Sequence, residues 1–178
     1  MNVGFFCLLE DRFLKNKTFK RIALVAFILY GLILIYTTFF GARTTLTGVS
    51  VWEYAVRMAN IKPFKTIGMY VKRLGDPSDQ MFSVALVNLA VNIVLFFPMA
   101  YLLPVLFTKL RHFFATIGVC VGVLVVVEIM QILTRRGSFD VDDFILNMIG
   151  AAVGYGVWKL QYVIAKKKKG NTIFDEVE

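Results

Sequence analysis

The 178-residue chain is 58% hydrophobic and 15% aromatic, far too apolar for a water-soluble domain of its size, and carries a net charge of +8. Its apolar residues come in long solid runs rather than in ten-residue alternation, which excludes a membrane β-barrel and leaves an all-α polytopic membrane protein. Most of the 20 Lys and Arg flank the ends of those runs, so the charge reads as membrane topology and not as nucleic-acid binding.

Residues 1–21 mix Phe5, Phe6, Leu8, Leu9 and Phe13 with Glu10, Asp11 and Arg12. They fit equally a short interfacial helix and a basic tail. Residues 22–40 form the first expected span. Its apolar stretch exceeds a signal-peptide core, and Phe40-Gly41-Ala42 puts a bulky residue where cleavage needs a small one, so an uncleaved anchor is expected. Residues 41–81 form an extracytoplasmic loop with a helix over 52–58. Phe64 and Tyr70 stand there as headgroup-level anchors, and Gly75-Asp76-Pro77-Ser78 makes a turn.

The second span covers 82–107 and contains Asn88, Asn92, Pro98 and Pro104, the prolines predicting a bend in its cytoplasmic half. A five-residue turn leads to the third span, 113–133, which must therefore lie antiparallel beside it. Its outer half holds Glu128 and Gln131 in an otherwise apolar run. A tight hairpin over 134–142 leads into the fourth span, 144–165. The tail, 166–178, is polybasic and then acidic, an unstructured segment suited to anionic lipid. The whole of 22–165 reads as one four-helix transmembrane domain.

Basic residues fix the orientation. Arg12, Lys15, Lys17, Lys20, Arg21, Lys109, Arg111, Lys159 and Lys166 to Lys169 gather on one side, close to span ends. Most of the others are diluted through the long loop. The positive-inside rule then places both termini in the cytoplasm. Cys7 and Cys120 sit too far apart to pair, in compartments that do not favour a disulfide.

Polar residues of three spans fall at one depth. At about 1.5 Å per residue, Asn88, Asn92, Glu128, Gln131 and Asn147 all lie within about 15 Å of the outer span ends. Each set follows one helical stripe: Asn88 and Asn92, then Glu128, Gln131 and Arg135, then Asp143 and Asn147. Ionisable groups at membrane depth are costly and mark functional sites. The competing reading for Glu128 is a structural hydrogen bond to Asn88 or Asn92. Arg135 and Arg136 stand at the rim, placed to meet a carboxylate or a phosphate. Asp140, with Asp143, has the spacing of a helix N-cap and a first-turn acid. Functionally, Asp140, Asp142 or Asp143 would join Glu128 as a cation-binding or acid/base group. Three acids in four residues are a weak metal signal, and no metal or cofactor is expected.

The G-x-x-x-G pairs Gly118/Gly122 and Gly150/Gly154 provide close-packing stripes, within one chain or between copies. His112, at a span end, is assigned no role. No hydrolase, zinc-protease or nucleotide-binding motif is present.

Residues 60–158 resemble the VanZ-like family of bacterial membrane proteins. The resemblance rests on Asn60-Ile-Lys-Pro-Phe-Lys-Thr-Ile67, on Asn88 and Asn92 with Phe96 and Pro98, on Glu128 with Gln131, and on Gly137-Ser-Phe-Asp140-Val-Asp142-Asp143 followed by Asn147, Gly150, Gly154 and Tyr155. Met99-Ala100 departs from the glycine usual after the proline, which touches packing more than the polar site. The resemblance implies a cell-envelope role in the bacterial cytoplasmic membrane linked to resistance to teicoplanin, a lipid-tailed glycopeptide. It implies a phenotype, not a reaction.

The leading expectation is a non-transporting accessory factor with an outer-leaflet polar pocket. Asn88, Asn92, Glu128, Gln131, Arg135, Arg136, Asp140, Asp143 and Asn147 would bind a lipid headgroup, a lipid-linked envelope precursor or the lipid-tailed glycopeptide. The first alternative is an intramembrane enzyme on a lipid-linked or phospholipid substrate, with Glu128 or Asp143 as acid or base. The second is a small transporter or flippase, which polar residues in only the outer half disfavour. Oligomerisation through Gly150/Gly154 is a further expectation.

Overall fold

The computed structural model describes residues 17–40 and 48–175, with side chains to 166. The expected interfacial segment at the N-terminus lies outside the described residues, except for 17–21, which open the first helix. The described chain forms helices α1 (Lys17–Phe40), α2 (Val51–Met58), α3 (Lys65–Leu74), α4 (Phe82–Leu106), α5 (Phe113–Leu133) and α6 (Val141–Asp175), with a 3-10 turn at Thr108–Leu110.

Three of these, α1, α4 and α5, are long and apolar enough to cross a membrane. Their outward faces agree: Leu29, Ile33, Val94 and Val126 are each more than half exposed. Continuous apolar surface of that extent matches hydrocarbon, not water. The sequence predicts four such helices. The fourth segment, α6, is helical but dilutes its apolar residues with Asn147, Lys159, Gln161 and a run of glycine and alanine. It also continues past Ala165 to Asp175, in place of the unstructured tail that its charge predicts.

Small residues explain how α6 sits. The most extensive helix pairing is between α4 and α6. A Cβ on Gly150 would stand 1.8 Å from the carbonyl oxygen of Ile93, and one on Gly154 would stand 2.3 Å from that of Phe97. Only a missing side chain allows that approach. This glycine stripe is therefore filled within the chain, by the α4 backbone. Gly118 and Gly122 on α5 have no such neighbour within 4 Å. The two contacts step four residues along both helices, so α4 and α6 run parallel in one register.

Around that seam lie the buried Phe96, Met99, Ala100, Leu103, Leu124, Ala151 and Trp158. Pro98 and Pro104 stand inside α4, which continues through both as one helix. Tyr30 of α1 fastens to α4 by donating to the Leu95 carbonyl at 2.7 Å. At the opposite end, Tyr155 donates to the Arg111 carbonyl at 2.9 Å.

The described part of the segment between α1 and α4 holds two helices, α2 and α3. Helix α2 begins at Ser50, whose hydroxyl accepts the Glu53 N–H at 3.1 Å. Tyr54, 1% exposed, fixes α2 to the α5–α6 hairpin by donating to the Gly137 carbonyl at 2.9 Å. Helix α3 has no counterpart in the sequence reading, because its start has no local cap. It begins after Phe64, a non-glycine residue at φ 62° with no side-chain cap of its own.

Candidate functional site

The missing cap of α3 comes from the other end of the domain. Asp142, fully buried, opens α6. Its carboxylate accepts three backbone N–H groups at the start of α3: Phe64 at 2.5 Å, Thr66 at 2.7 Å and Ile67 at 3.0 Å. A carboxylate on a helix N-terminus satisfies orphan donors and opposes the positive end of the dipole. It also holds Phe64 in a left-handed conformation that costs a non-glycine residue about 1–2 kcal/mol.

Asp140 completes the joint. Its Oδ1 accepts from the Asn60 amide at 3.1 Å and from the Asp142 N–H at 2.9 Å, and its Oδ2 accepts from the Thr66 hydroxyl at 2.7 Å. The backbones of Asn60 and Asp140 pair as a short parallel bridge, through Asn60 N to Phe139 O at 2.8 Å and Val141 N to Asn60 O at 3.1 Å. Asp140 thus caps α6, as its spacing suggests, and also clasps the loop.

Next to this clasp polar residues of α4 and α6 meet. Asn92 of α4 donates through its amide to Asp143 Oδ1 of α6. Asn147 donates to the Asp143 carbonyl at 2.7 Å. Asn147 is 3% exposed, and its Oδ1 has no hydrogen-bond partner among the described residues. The parallel register of α4 and α6 sets Asn147 level with Ala90, between Asn88 and Asn92. Glu128 and Gln131 of α5 are buried at 6% and 5% exposure.

Other residues of the expected pocket are placed differently. The Asn88 amide turns back to the Val84 carbonyl of its own helix at 2.8 Å. Arg136 reaches across the rim to α1, donating to the Phe39 carbonyl at 2.7 Å with its guanidinium 5.7 Å from the Phe40 ring centre. Arg135 adopts φ 56° at the end of α5. There the Arg136 N–H reaches the Gln131 carbonyl at 2.9 Å and the Arg135 N–H the Ile132 carbonyl at 3.0 Å, the paired bonds of a Schellman end with arginine where glycine is usual.

Tyr70 of α3 joins the group from above. Its hydroxyl is held above the ordinary tyrosine range, first by burial and then by the charges of Asp143 and Asp140, with Arg73 opposing. In the sequence Tyr70 reads only as an anchor, and Asn60, Thr66 and Tyr54 fall outside the expected site. A signal is present in Asn60 and Thr66, two polar residues in the motif that flanks Pro63-Phe64.

The Asp143 carboxylate and the Asn147 side-chain carbonyl bring acceptor oxygens together at the start of α6. Among the described residues no three His, Cys, Asp or Glu side chains come together as a metal-binding group. Separately, α1, α4 and α5 flank a half-open apolar groove of about 260 Å³ lined by residues that include Tyr30, Gly31, Leu34, Met99 and Val123.

The VanZ/LLP1 family profile matches residues 27–163. The match spans well over half the sequence, so the chain belongs to the VanZ-like family. No curated protein and no solved structure matches it.

Proposed function

We propose that this VanZ-like chain is a cell-envelope accessory factor of the bacterial cytoplasmic membrane, linked to lowered teicoplanin susceptibility. In this reading α6 is a fourth span and both termini lie in the cytoplasm. The polar cluster of Asn92, Glu128, Gln131, Asp143 and Asn147 then sits under the extracytoplasmic headgroups, with Arg135 at its edge. It binds the headgroup of a membrane lipid or a lipid-linked envelope precursor. Its acceptor oxygens favour a hydroxyl- or amine-bearing headgroup, and Arg135 supplies the charge for an accompanying phosphate.

One observation carries the reading. Asn92 and Asp143, on different helices, are hydrogen bonded beside a buried Asn147 whose Oδ1 has no hydrogen-bond partner among the described residues. Polar groups at this depth are costly unless they serve packing or a ligand, and an unfilled acceptor points to the ligand.

The test is Glu128→Gln and Asn92→Ala in cells expressing matched protein levels, read as teicoplanin susceptibility. Loss of resistance supports the pocket. Resistance unchanged by both substitutions counts against it. Lipid extracts from the same cells separate binding from catalysis, because a new or missing lipid species identifies an intramembrane enzyme.

A further inference from the structure

The outward face of α3 has no part in the buried cluster. Ile67, Tyr70 and Leu74 are partly buried on a helix that contacts α4 and α6, whereas Lys65, Met69 and Lys72 are exposed. These three stand at i, i+4 and i+7, on one stripe of about 10 Å. The stripe borders an open cleft of about 560 Å³, with Phe64 at one end and Gly68 on its floor, where a Cβ would meet nothing within 4 Å.

Charge in the cleft is one-sided. Its acid, Asp79, is taken by Arg73 at 3.3 Å. Neither Lys65 nor Lys72 has an ion-pair partner among the described residues. The helix N-terminus is not the source of attraction, since Asp142 already occupies its N–H groups. Apolar tips flank the cations: Ile61 is 71% exposed and Phe64 65% exposed.

Position decides between a soluble anion and a membrane. Helix α3 joins α4, a membrane-length helix, through the short turn at 75–81. Lysine ammoniums beside exposed Phe64 and Met69, at the mouth of a span, match a phosphate layer over acyl chains. We infer that the Lys65–Met69–Lys72 face of α3 is a docking site for anionic phospholipid headgroups. This does not rest on the buried cluster.

The test uses the full chain in nanodiscs. Gly68→Cys, in a Cys7→Ser/Cys120→Ala background, carries a bimane label in the cleft beside the face, where a Cβ meets nothing within 4 Å. Phosphatidylcholine discs receive an equal minority of shallow-brominated phosphatidylglycerol or of shallow-brominated phosphatidylcholine. Near a membrane surface each lysine gives roughly a fivefold preference for anionic lipid. Quenching is therefore expected to be several-fold stronger with the anionic quencher and to weaken as salt rises. Lys65→Gln/Lys72→Gln should abolish the difference, and Lys65→Arg/Lys72→Arg should keep it. Equal quenching by the two lipids, or a difference that survives the glutamine pair, would overturn the site. So would soluble poly-glutamate shifting the label in phosphatidylcholine discs as strongly as the anionic lipid does, which would assign the face to acidic proteins.

Discussion

Asp142 Oδ2 accepts the backbone N–H of Thr66 at 2.7 Å across 76 positions of sequence. That bond makes the segment between α1 and α4 part of the helical domain. The buried carboxylate holds three N–H groups, and its neighbour Asp140 holds Asn60 and Thr66. The loop is thus a fixed cover over the start of α6.

Asp142→Asn tests the cover. An amide keeps the size but turns one acceptor into a donor aimed at backbone N–H groups. Charge-assisted bonds of this kind contribute about 1.5–3 kcal/mol each, and burial adds the cost of unsatisfied donors. The expected loss is about 2–4 kcal/mol of loop docking. Hydrogen exchange at Thr66 and Ile67 should accelerate while exchange in the middle of α4 stays slow. Uniform acceleration through both would show that Asp142 supports the whole fold and not the loop alone.

Gly150 and Gly122 make opposite predictions from identical chemistry. Alanine at 150 would drive a methyl into the Ile93 carbonyl, so α4 and α6 must separate. Overpacking of this kind costs typically about 1–3 kcal/mol. Alanine at 122 enters open space and should leave stability nearly unchanged. Thermal unfolding in detergent, followed by tryptophan emission, reads both. A Gly150→Ala protein as stable as the parent would contradict the close approach.

Helices declare themselves in sequence where one segment explains itself. The limits of α5 fall where its apolar run begins and ends, and α1 and α4 differ from expectation only near their ends. Helix α3 stays hidden because its cap lies in another element: Lys65 to Leu74 has no acid in its first turn, and Phe64 offers no side-chain cap. The site divides the same way. Depth counted from the span ends puts Asn92 and Asn147 in the same outer half, and Asp143 shares the stripe of Asn147, but the register of α6 on α4 is set by the contacts of Gly150 with Ile93 and Gly154 with Phe97, which the sequence leaves open to another copy. Side-chain direction does not follow either. Asn88 shares the stripe of Asn92 yet turns to Val84, and Arg136 shares the rim with Arg135 yet crosses to α1. Each takes a partner that periodicity alone cannot show.

Asn92 and Asp143 should therefore behave as a coupled pair. In a double-mutant cycle with Asn92→Ala and Asp143→Ala, unfolding in detergent should yield a coupling of about 0.6 kcal/mol, the average for interhelical polar pairs in a membrane protein, and no more than about 1.7 kcal/mol. Asn88→Ala should be close to neutral, since its amide only bonds its own helix. Strictly additive effects of Asn92→Ala and Asp143→Ala would deny the contact any energetic weight.

Tyr70 provides a pH signature for the same cover. Its phenol holds its proton above the ordinary value of 10.0, chiefly through burial and secondarily through the charges of Asp143 and Asp140. The docked state therefore binds this proton more tightly than the unfolded chain does. Its contribution to docking is complete below pH 10 and drains away as pH rises through the folded value. Phenolate absorbance of the parent minus that of Tyr70→Phe should place the Tyr70 step later than that of a free tyrosine. Asp143→Asn should move the step earlier by removing one of the charges that opposes ionisation. A Tyr70 step at the free-tyrosine value in the parent would mean that α3 does not lie against the acidic start of α6 in solution.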